Sequence, residues 1–101
     1  MIESAEAILG FTDGLNFEDF QADRKTVDAV VRNLQVIGEA ARYMPSEVRS
    51  KNSDLPWIEM SAMRNILTHE YFGVDLSIIW QTIRTDLPTL LPRLRSMLSG
   101  N

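Results

Sequence analysis

The side chains best suited to chemistry lie close together in this chain. His69 is the only histidine, Arg64 precedes it by five positions, and Tyr71 follows it by two. An imidazole titrates near neutral pH and can take or give a proton, while a guanidinium pairs well with phosphate. The chain has no cysteine, so thiol chemistry and thiolate metal sites are excluded. One chemistry that these groups could perform without a metal or a thiol is cleavage of RNA by its own 2′-hydroxyl.

That reaction needs a general base, a general acid and a cation at the phosphorane-like transition state. Because one chain carries one histidine, a mechanism with two histidines requires two chains. A symmetric dimer would supply two copies of Arg64 and of His69 around one cleft. The structural alternative is that His69 stabilises a helix C-terminus and that Arg64 forms a solvated ion pair. Spacing alone favours this alternative.

The helix predicted to carry these residues spans residues 56–73. Pro56 suits a first-turn position, and Gly73 is placed to end the helix. At about 100° per residue, Arg64 and His69 bound a polar arc of about 140°, with Asn65 inside it. Tyr71 follows Arg64 by nearly two helical turns and is therefore predicted to lie at the same edge of the polar arc as Arg64. Four apolar side chains gather on one side and are predicted to face the core: Met60, Met63, Ile66 and Leu67.

The rest of the chain predicts an all-α bundle of four to five helices in a single domain, residues 1–101. Helices are predicted at residues 2–11 and 24–43, with short helical turns after Asn16 and near residues 46–49. A further helix capped by Asp75 leads to a kink or break near Pro88 and a last helix with five inward side chains. These five are Leu90, Leu91, Leu94, Met97 and Leu98. Trp57 and Trp80 are predicted to anchor the core or an interface rather than stack on bases.

The helix at residues 24–43 carries two stripes at helical spacing. The apolar stripe includes two small residues, Gly38 and Ala41, which permit close helix approach. The polar stripe includes Arg32, Gln35 and Glu39. Arg32 and Glu39 are candidates for the same cleft, where either would touch substrate or Arg64. The alternative is a surface ion pair between Asp28 and Arg32.

Composition limits the partners of the chain. The formal net charge is −4, so the overall field repels nucleic acid and RNA would need a local basic cluster. Eight of the ten basic residues are arginine, the better type for bidentate phosphate contacts. No apolar run reaches the roughly 18 residues of a membrane span, and the N-terminus does not resemble a signal peptide. Together with the lack of cysteine, this predicts a cytoplasmic protein.

The segment Arg64-Asn65-x3-His69-Glu70-Tyr71 resembles the Arg-x4-His-x-Tyr motif of the HEPN superfamily. More narrowly, it resembles the HepT-like branch, the ribonuclease toxin of the MntA/HepT toxin–antitoxin systems. The similarity extends along most of the chain, at residues 16–20, 26–34, 37–41, 56–57 and 71–75. A bare Arg-x4-His is a weak signal, whereas this ordered set is specific and favours the catalytic interpretation.

The resemblance implies a helical homodimer with the two motifs facing across the interface, and a metal-independent endoribonuclease that needs no cofactor. It implies that Arg64 and His69 are the catalytic pair and that Asn65 is their polar companion. Tyr71 matches the position to which an MntA-like nucleotidyltransferase antitoxin of a type VII system adds AMP. The alternative is a non-catalytic helical subunit that binds and positions a nucleotidyltransferase. The intact Arg64 and His69 favour the enzyme.

Overall fold

The computed structural model describes residues 1–69 and 73–99, and every regular element within these ranges is helical. The all-α prediction is therefore confirmed. Helices α1, α3 and α5 and the continuous unit formed by α6 and α7 build the bundle, while two helices of six residues, α2 and α4, connect them. The elements are α1 (Ile2–Phe11), α2 (Phe17–Ala22), α3 (Arg24–Arg42), α4 (Ser46–Lys51), α5 (Trp57–His69), α6 (Leu76–Gln81), a π-helical turn (Thr82–Asp86) and α7 (Leu87–Leu98).

Helix α3 is the centre of the bundle, with α1, α2 and α5 packed against it. Its predicted apolar stripe is buried throughout, because residues at three- and four-residue spacing share one face of a helix. The buried residues are Val27, Val30, Val31, Leu34, Ile37, Gly38 and Ala41. The predicted caps also form: Asn16 and Asp19 make a capping box at the start of α2, and Asp75 accepts the backbone N–H of Ser77 at the start of α6.

The contact between α3 and α5 is closest at Gly38. A Cβ atom added there would lie 2.6 Å from the carbonyl oxygen of Met60 and closer still to the Cβ of Arg64. Since real Cβ atoms do not approach this closely, only glycine permits the observed distance between the helices. The prediction that small residues on α3 allow a close approach is confirmed. As a result, the backbone at Arg64 lies directly against α3.

The start of α5 is held in place by the turn that precedes it. Trp57 is buried, and its indole N–H donates to the carbonyl oxygen of Asn52 at 3.0 Å. Arg93 on α7 donates through Nη2 to the Asp54 carboxylate at 2.8 Å, and this guanidinium holds the pKa of the Asp54 carboxyl below its usual range. The helix begins at Trp57, directly after Pro56. These contacts fix the direction in which α5 leaves the turn.

The predicted kink near Pro88 is a π-helical turn rather than a break. The N–H of Leu87 donates to the carbonyl of Thr82, five residues earlier, which widens the helix just before the proline. A proline ring crowds the carbonyl four residues before it, and the wider turn accommodates this. Arg84, inside the π turn, donates to the carbonyl of Thr12 at 3.1 Å and lies 4.3 Å from the Trp80 ring centroid. The turn therefore ties the α6–α7 unit to the end of α1.

Two residues predicted to face the core are exposed instead. Ile66 retains 45% of its accessible surface, because α3 covers the side of α5 that carries Met60 and Leu67 and does not reach around to Ile66. Leu98 lies on the same face of α7 as the buried Leu94, so its exposure reflects its place as the last residue of the helix. Among the helices that the structure describes, none is both long and apolar enough to cross a bilayer.

Replacing Gly38 with alanine is expected to destabilise the fold by about 1–3 kcal/mol or more, because the added methyl group overpacks the α3–α5 contact. Urea denaturation measures the change. Gly10 in α1 is the matched control, since a Cβ there meets nothing within 4 Å. Gly10→Ala is expected to stabilise the helix by up to about 1 kcal/mol. Equal effects of the two substitutions would contradict the close approach at Gly38.

Candidate functional site

An open cleft of about 560 Å³ lies between α3 and α5 on the surface beside Gly38. The polar stripe of α3 forms one wall and α5 forms the other. Its lining residues are Arg32, Gln35, Val36, Glu39, Ala40 and Tyr43 from α3, and Arg64 and Thr68 from α5. A shallower groove continues past Thr68 and shares Arg32 and Gln35 with the cleft. The structure therefore places both α3 candidates, Arg32 and Glu39, with Arg64.

Arg64 is held from two sides at the edge of this cleft. Its Nε lies 2.7 Å from Oε2 of Glu39 on α3, and its Nη1 donates to Oδ1 of the neighbouring Asn65 at 3.0 Å. Only 24% of its side chain is accessible to solvent. A guanidinium has five N–H donors, and these two contacts use the Nε–H and one N–H on Nη1. The remaining donors form a fork suited to an anion such as phosphate.

The charges lining the cleft make it a local cationic site in an acidic chain. Arg32 and Arg64 carry positive charge there, and Glu39 carries negative charge close to Arg64. The surplus is positive, whereas the whole chain has a formal charge of −4. This local excess is what RNA binding by such a chain requires. Asp28, the alternative partner for Arg32, lines the adjoining groove together with Arg32, and its Oδ2 lies 3.7 Å from Nε of Arg24.

His69 lies away from this cleft. It is the last residue of α5 and is exposed, and it is not among the residues that line the cleft. Five residues along an α-helix correspond to a rotation of about 140° and a rise of about 7.5 Å. One chain therefore does not bring Arg64 and His69 to the same point.

The face of α5 that carries His69 is largely apolar and uncovered. Ile58 retains 81% of its accessible surface and Ile66 retains 45%, and Ala62 between them is exposed as well. On the helical wheel His69 falls between Ile58 and Ile66, opposite the buried Leu67. We call Ile58, Ala62, Ile66 and His69 the outer face of α5. An apolar stripe of this kind is typical of a protein–protein interface.

One aromatic residue of the cleft was not singled out by the sequence patterns. Tyr43 caps the C-terminal end of α3 and is 71% exposed. Its position four residues after Glu39 continues the polar stripe of α3, which is the signal that could have identified it. The tryptophans are elsewhere: Trp57 is buried, and Trp80 packs against Phe20 at 5.1 Å between ring centroids. Their predicted role as core anchors is confirmed.

Tyr71, the predicted modification site, lies outside the described residues, as does Glu70 of the motif. Gly73, which was predicted to end this helix, is the first described residue after residues 70–72. Within residues 1–69 and 73–99, no group of three or more histidine and acidic side chains is arranged to hold a metal ion. The described parts of the site are therefore the Arg64 cleft and the outer face of α5.

Comparisons with known proteins agree on one family. The family model described as "Ribonuclease HepT-like" matches residues 1–97. The chain is 44% identical over 88 residues to "Probable ribonuclease HepT" of Thermococcus cleftensis, covering 87% of this chain and 80% of that protein. It is 41% identical over 98 residues to a protein of Caldanaerobacter subterraneus named as a putative RNase, covering 97% of this chain and 88% of that protein.

A protein of Methanocaldococcus jannaschii, also named as a putative RNase, is 38% identical over 90 residues, covering 89% of this chain and 83% of that protein. No solved structure matches the chain. The family match covers the helices described above except the last residue of α7, and it includes both walls of the cleft. The chain belongs to the HepT-like ribonuclease family.

Proposed function

We propose that this protein is a metal-independent endoribonuclease toxin of a type VII toxin–antitoxin system. The observation that carries the proposal is the position of Arg64, held by Glu39 and Asn65 in a locally cationic cleft. Membership of the HepT-like ribonuclease family supports RNA as the substrate. In this proposal Arg64 and His69 are the catalytic residues, Asn65 supports Arg64, and no cofactor takes part.

The active unit is a homodimer that buries the outer face of α5. Ile58, Ala62 and Ile66 offer an apolar stripe for self-association, and His69 lies on the same face. A twofold axis beside this face brings the two copies of His69 towards each other and towards the Arg64 clefts. Because Arg64 and His69 of one chain diverge by about 140°, this arrangement completes a site that neither chain has alone.

The chemistry follows from the protonation states of the two histidines. One imidazole removes the proton from the ribose 2′-hydroxyl, and the oxygen attacks the adjacent phosphorus. The other imidazolium donates a proton to the departing 5′-oxygen. Arg64 stabilises the negative charge that accumulates on the phosphoryl oxygens. The products are a 2′,3′-cyclic phosphate and a 5′-hydroxyl, so no water or metal ion enters the balance of this step.

Replacing His69 with alanine is expected to lower RNA cleavage by about 10²–10⁴-fold, as loss of a general acid–base group does. Arg64→Ala should have a similar effect, and both should relieve growth arrest on expression. Arg49→Ala, an exposed arginine on α4 that lies outside the cleft, is the control and should leave cleavage unchanged. Assays contain EDTA. Cleavage that requires a divalent cation, or toxicity that persists in His69→Ala, would contradict the mechanism.

Mixing wild-type and His69→Ala chains tests whether both histidines serve one site. If they do, a mixture of equal amounts of the two chains should show, after subunit exchange, about a quarter of the activity of the same total amount of wild type. Only dimers with two intact chains would cleave. A residual activity of about half would show that each site uses a single histidine, whether from its own chain or from the partner, and would contradict the two-histidine mechanism. The oligomeric state of the mixture, measured by light scattering, must remain that of the wild type.

Glu39→Gln is expected to separate binding from catalysis. The amide keeps the shape of the side chain but loses the charge that fixes Arg64, so kcat should fall about tenfold, comparable to a lost charge-assisted hydrogen bond. Removing a negative charge from the cleft should lower or leave unchanged the KM for RNA. Glu59→Gln, on the same bundle but outside this cleft, is the matched control. An unchanged kcat would remove Glu39 from the mechanism.

The proposed antitoxin is an MntA-like nucleotidyltransferase that transfers AMP from ATP to the Tyr71 hydroxyl, releasing pyrophosphate. The helical repeat predicts Tyr71 on the same edge as Arg64, so the added group brings bulk and phosphate charge next to the cleft. Incubation with the partner and ATP should add the mass of AMP to the peptide containing Tyr71. Tyr71→Phe should abolish the modification, whereas Tyr43→Phe should not. AMP on a different residue would refute the assignment.

A further inference from the structure

The Arg64 cleft has an exposed aromatic ring at one end. Tyr43 is 71% exposed and forms part of the cleft wall, one helical turn beyond Glu39. The guanidinium of the adjacent Arg42 lies 5.6 Å from its ring centroid. The exposed phenol ring therefore lines the same cleft as Arg64, with the positive charge of Arg42 next to the ring.

The part of the cleft lining between Tyr43 and Arg64 offers an apolar surface on which a nucleoside could pack. Val36 and Ala40 contribute aliphatic and small side chains to the lining, which offer an apolar surface to a ribose or base. Arg32 lies at the other end of the same wall, eleven residues before Tyr43 in a helix, or about 16 Å along its axis. The cleft is thus long enough for more than one nucleotide, with Arg32 and Arg64 in its lining and Arg42 next to Tyr43.

We infer that Tyr43 is a base-stacking subsite for single-stranded RNA, occupied by a nucleobase next to the phosphate bound at Arg64. Unpaired bases commonly stack on exposed aromatic side chains in RNA-binding proteins. Every base has a stacking face, so this subsite favours single-stranded over base-paired RNA without selecting one base. The neighbouring Arg42 contacts the backbone of the same strand. The inference rests on the proposed ribonuclease function and adds a substrate contact to it.

The test separates base contacts from phosphate contacts. Two single-stranded oligonucleotides of equal length carry a 2′-O-methyl group at every position, which removes the attacking hydroxyl and prevents cleavage. One contains bases and the other is abasic throughout. Fluorescence anisotropy measures the affinity of the full-length protein for each. The variants are Tyr43→Ala, Tyr43→Phe and, as a matched control, Phe11→Ala, an exposed aromatic outside the cleft.

Tyr43→Ala is expected to weaken binding of the base-containing strand by about 5- to 150-fold, the range for loss of one stacking aromatic. It should leave the affinity for the abasic strand unchanged. Tyr43→Phe keeps the ring and should bind both strands like the wild type, as should Phe11→Ala. Equal loss on the two strands, or a loss in Tyr43→Phe as large as in Tyr43→Ala, would overturn the subsite.

A parallel assay with unmodified RNA keeps the two proposals distinct. If the wild type cleaves RNA but Tyr43→Ala shows no base-dependent loss of affinity, the subsite is wrong and the ribonuclease proposal stands. If the base-dependent loss appears but the wild type does not cleave RNA, the subsite stands and the ribonuclease proposal fails. Circular dichroism on each variant confirms that the helical fold is retained.

Discussion

The close contact of α3 and α5 at Gly38 is the constraint on which the rest of the site depends. A glycine at this position lets the backbones approach until the Cβ of Arg64 lies directly beside α3. That approach brings the Arg64 guanidinium within 2.7 Å of Glu39 and forms the cleft along the polar stripe of α3. A wider spacing between the helices would separate Arg64 from Glu39 and leave both side chains in solvent. The fold therefore positions the cation through backbone packing rather than through a loop.

Helix α5 has two different faces, and the spacing of its motif explains why. The side next to α3 is buried at Met60 and Leu67, and Arg64 emerges at its edge into the cleft. The outer face carries His69 among exposed apolar side chains. A separation of five positions places the two catalytic candidates, Arg64 and His69, about 140° apart. This geometry is the reason that the proposed active site requires two chains, because two copies of α5 can bring together groups that one copy keeps apart.

The net charge of the whole chain and the charge of the cleft have opposite signs. The chain as a whole is acidic, which keeps non-specific attraction to nucleic acid low. Two of the eight arginines, Arg32 and Arg64, line the cleft, and Glu39 offsets part of their positive charge while orienting Arg64. In the proposed control by a nucleotidyltransferase, a negatively charged group added near this small cationic site would be enough to block it.

Local sequence patterns predicted most of the helices, their caps and the residues of the motif. Apolar periodicity predicted every buried position of α3, Asn16 and Asp75 marked helix starts, and Gly38 indicated a close approach. These features are local, because a helical repeat and a cap depend on residues within a few positions of each other. The interpretation of Arg64 and His69 as a pair came from their types, their spacing and the family resemblance.

Only the tertiary structure decided which helix lies against which face. It exposed Ile66, which periodicity had assigned to the core, because α3 covers a different side of α5. It paired Arg64 with Glu39, which are 25 positions apart in the sequence, and it placed Tyr43 on the wall of the cleft. It also resolved the region before Pro88 as a π turn. Such outcomes depend on the distance and direction between helices, which no local pattern encodes.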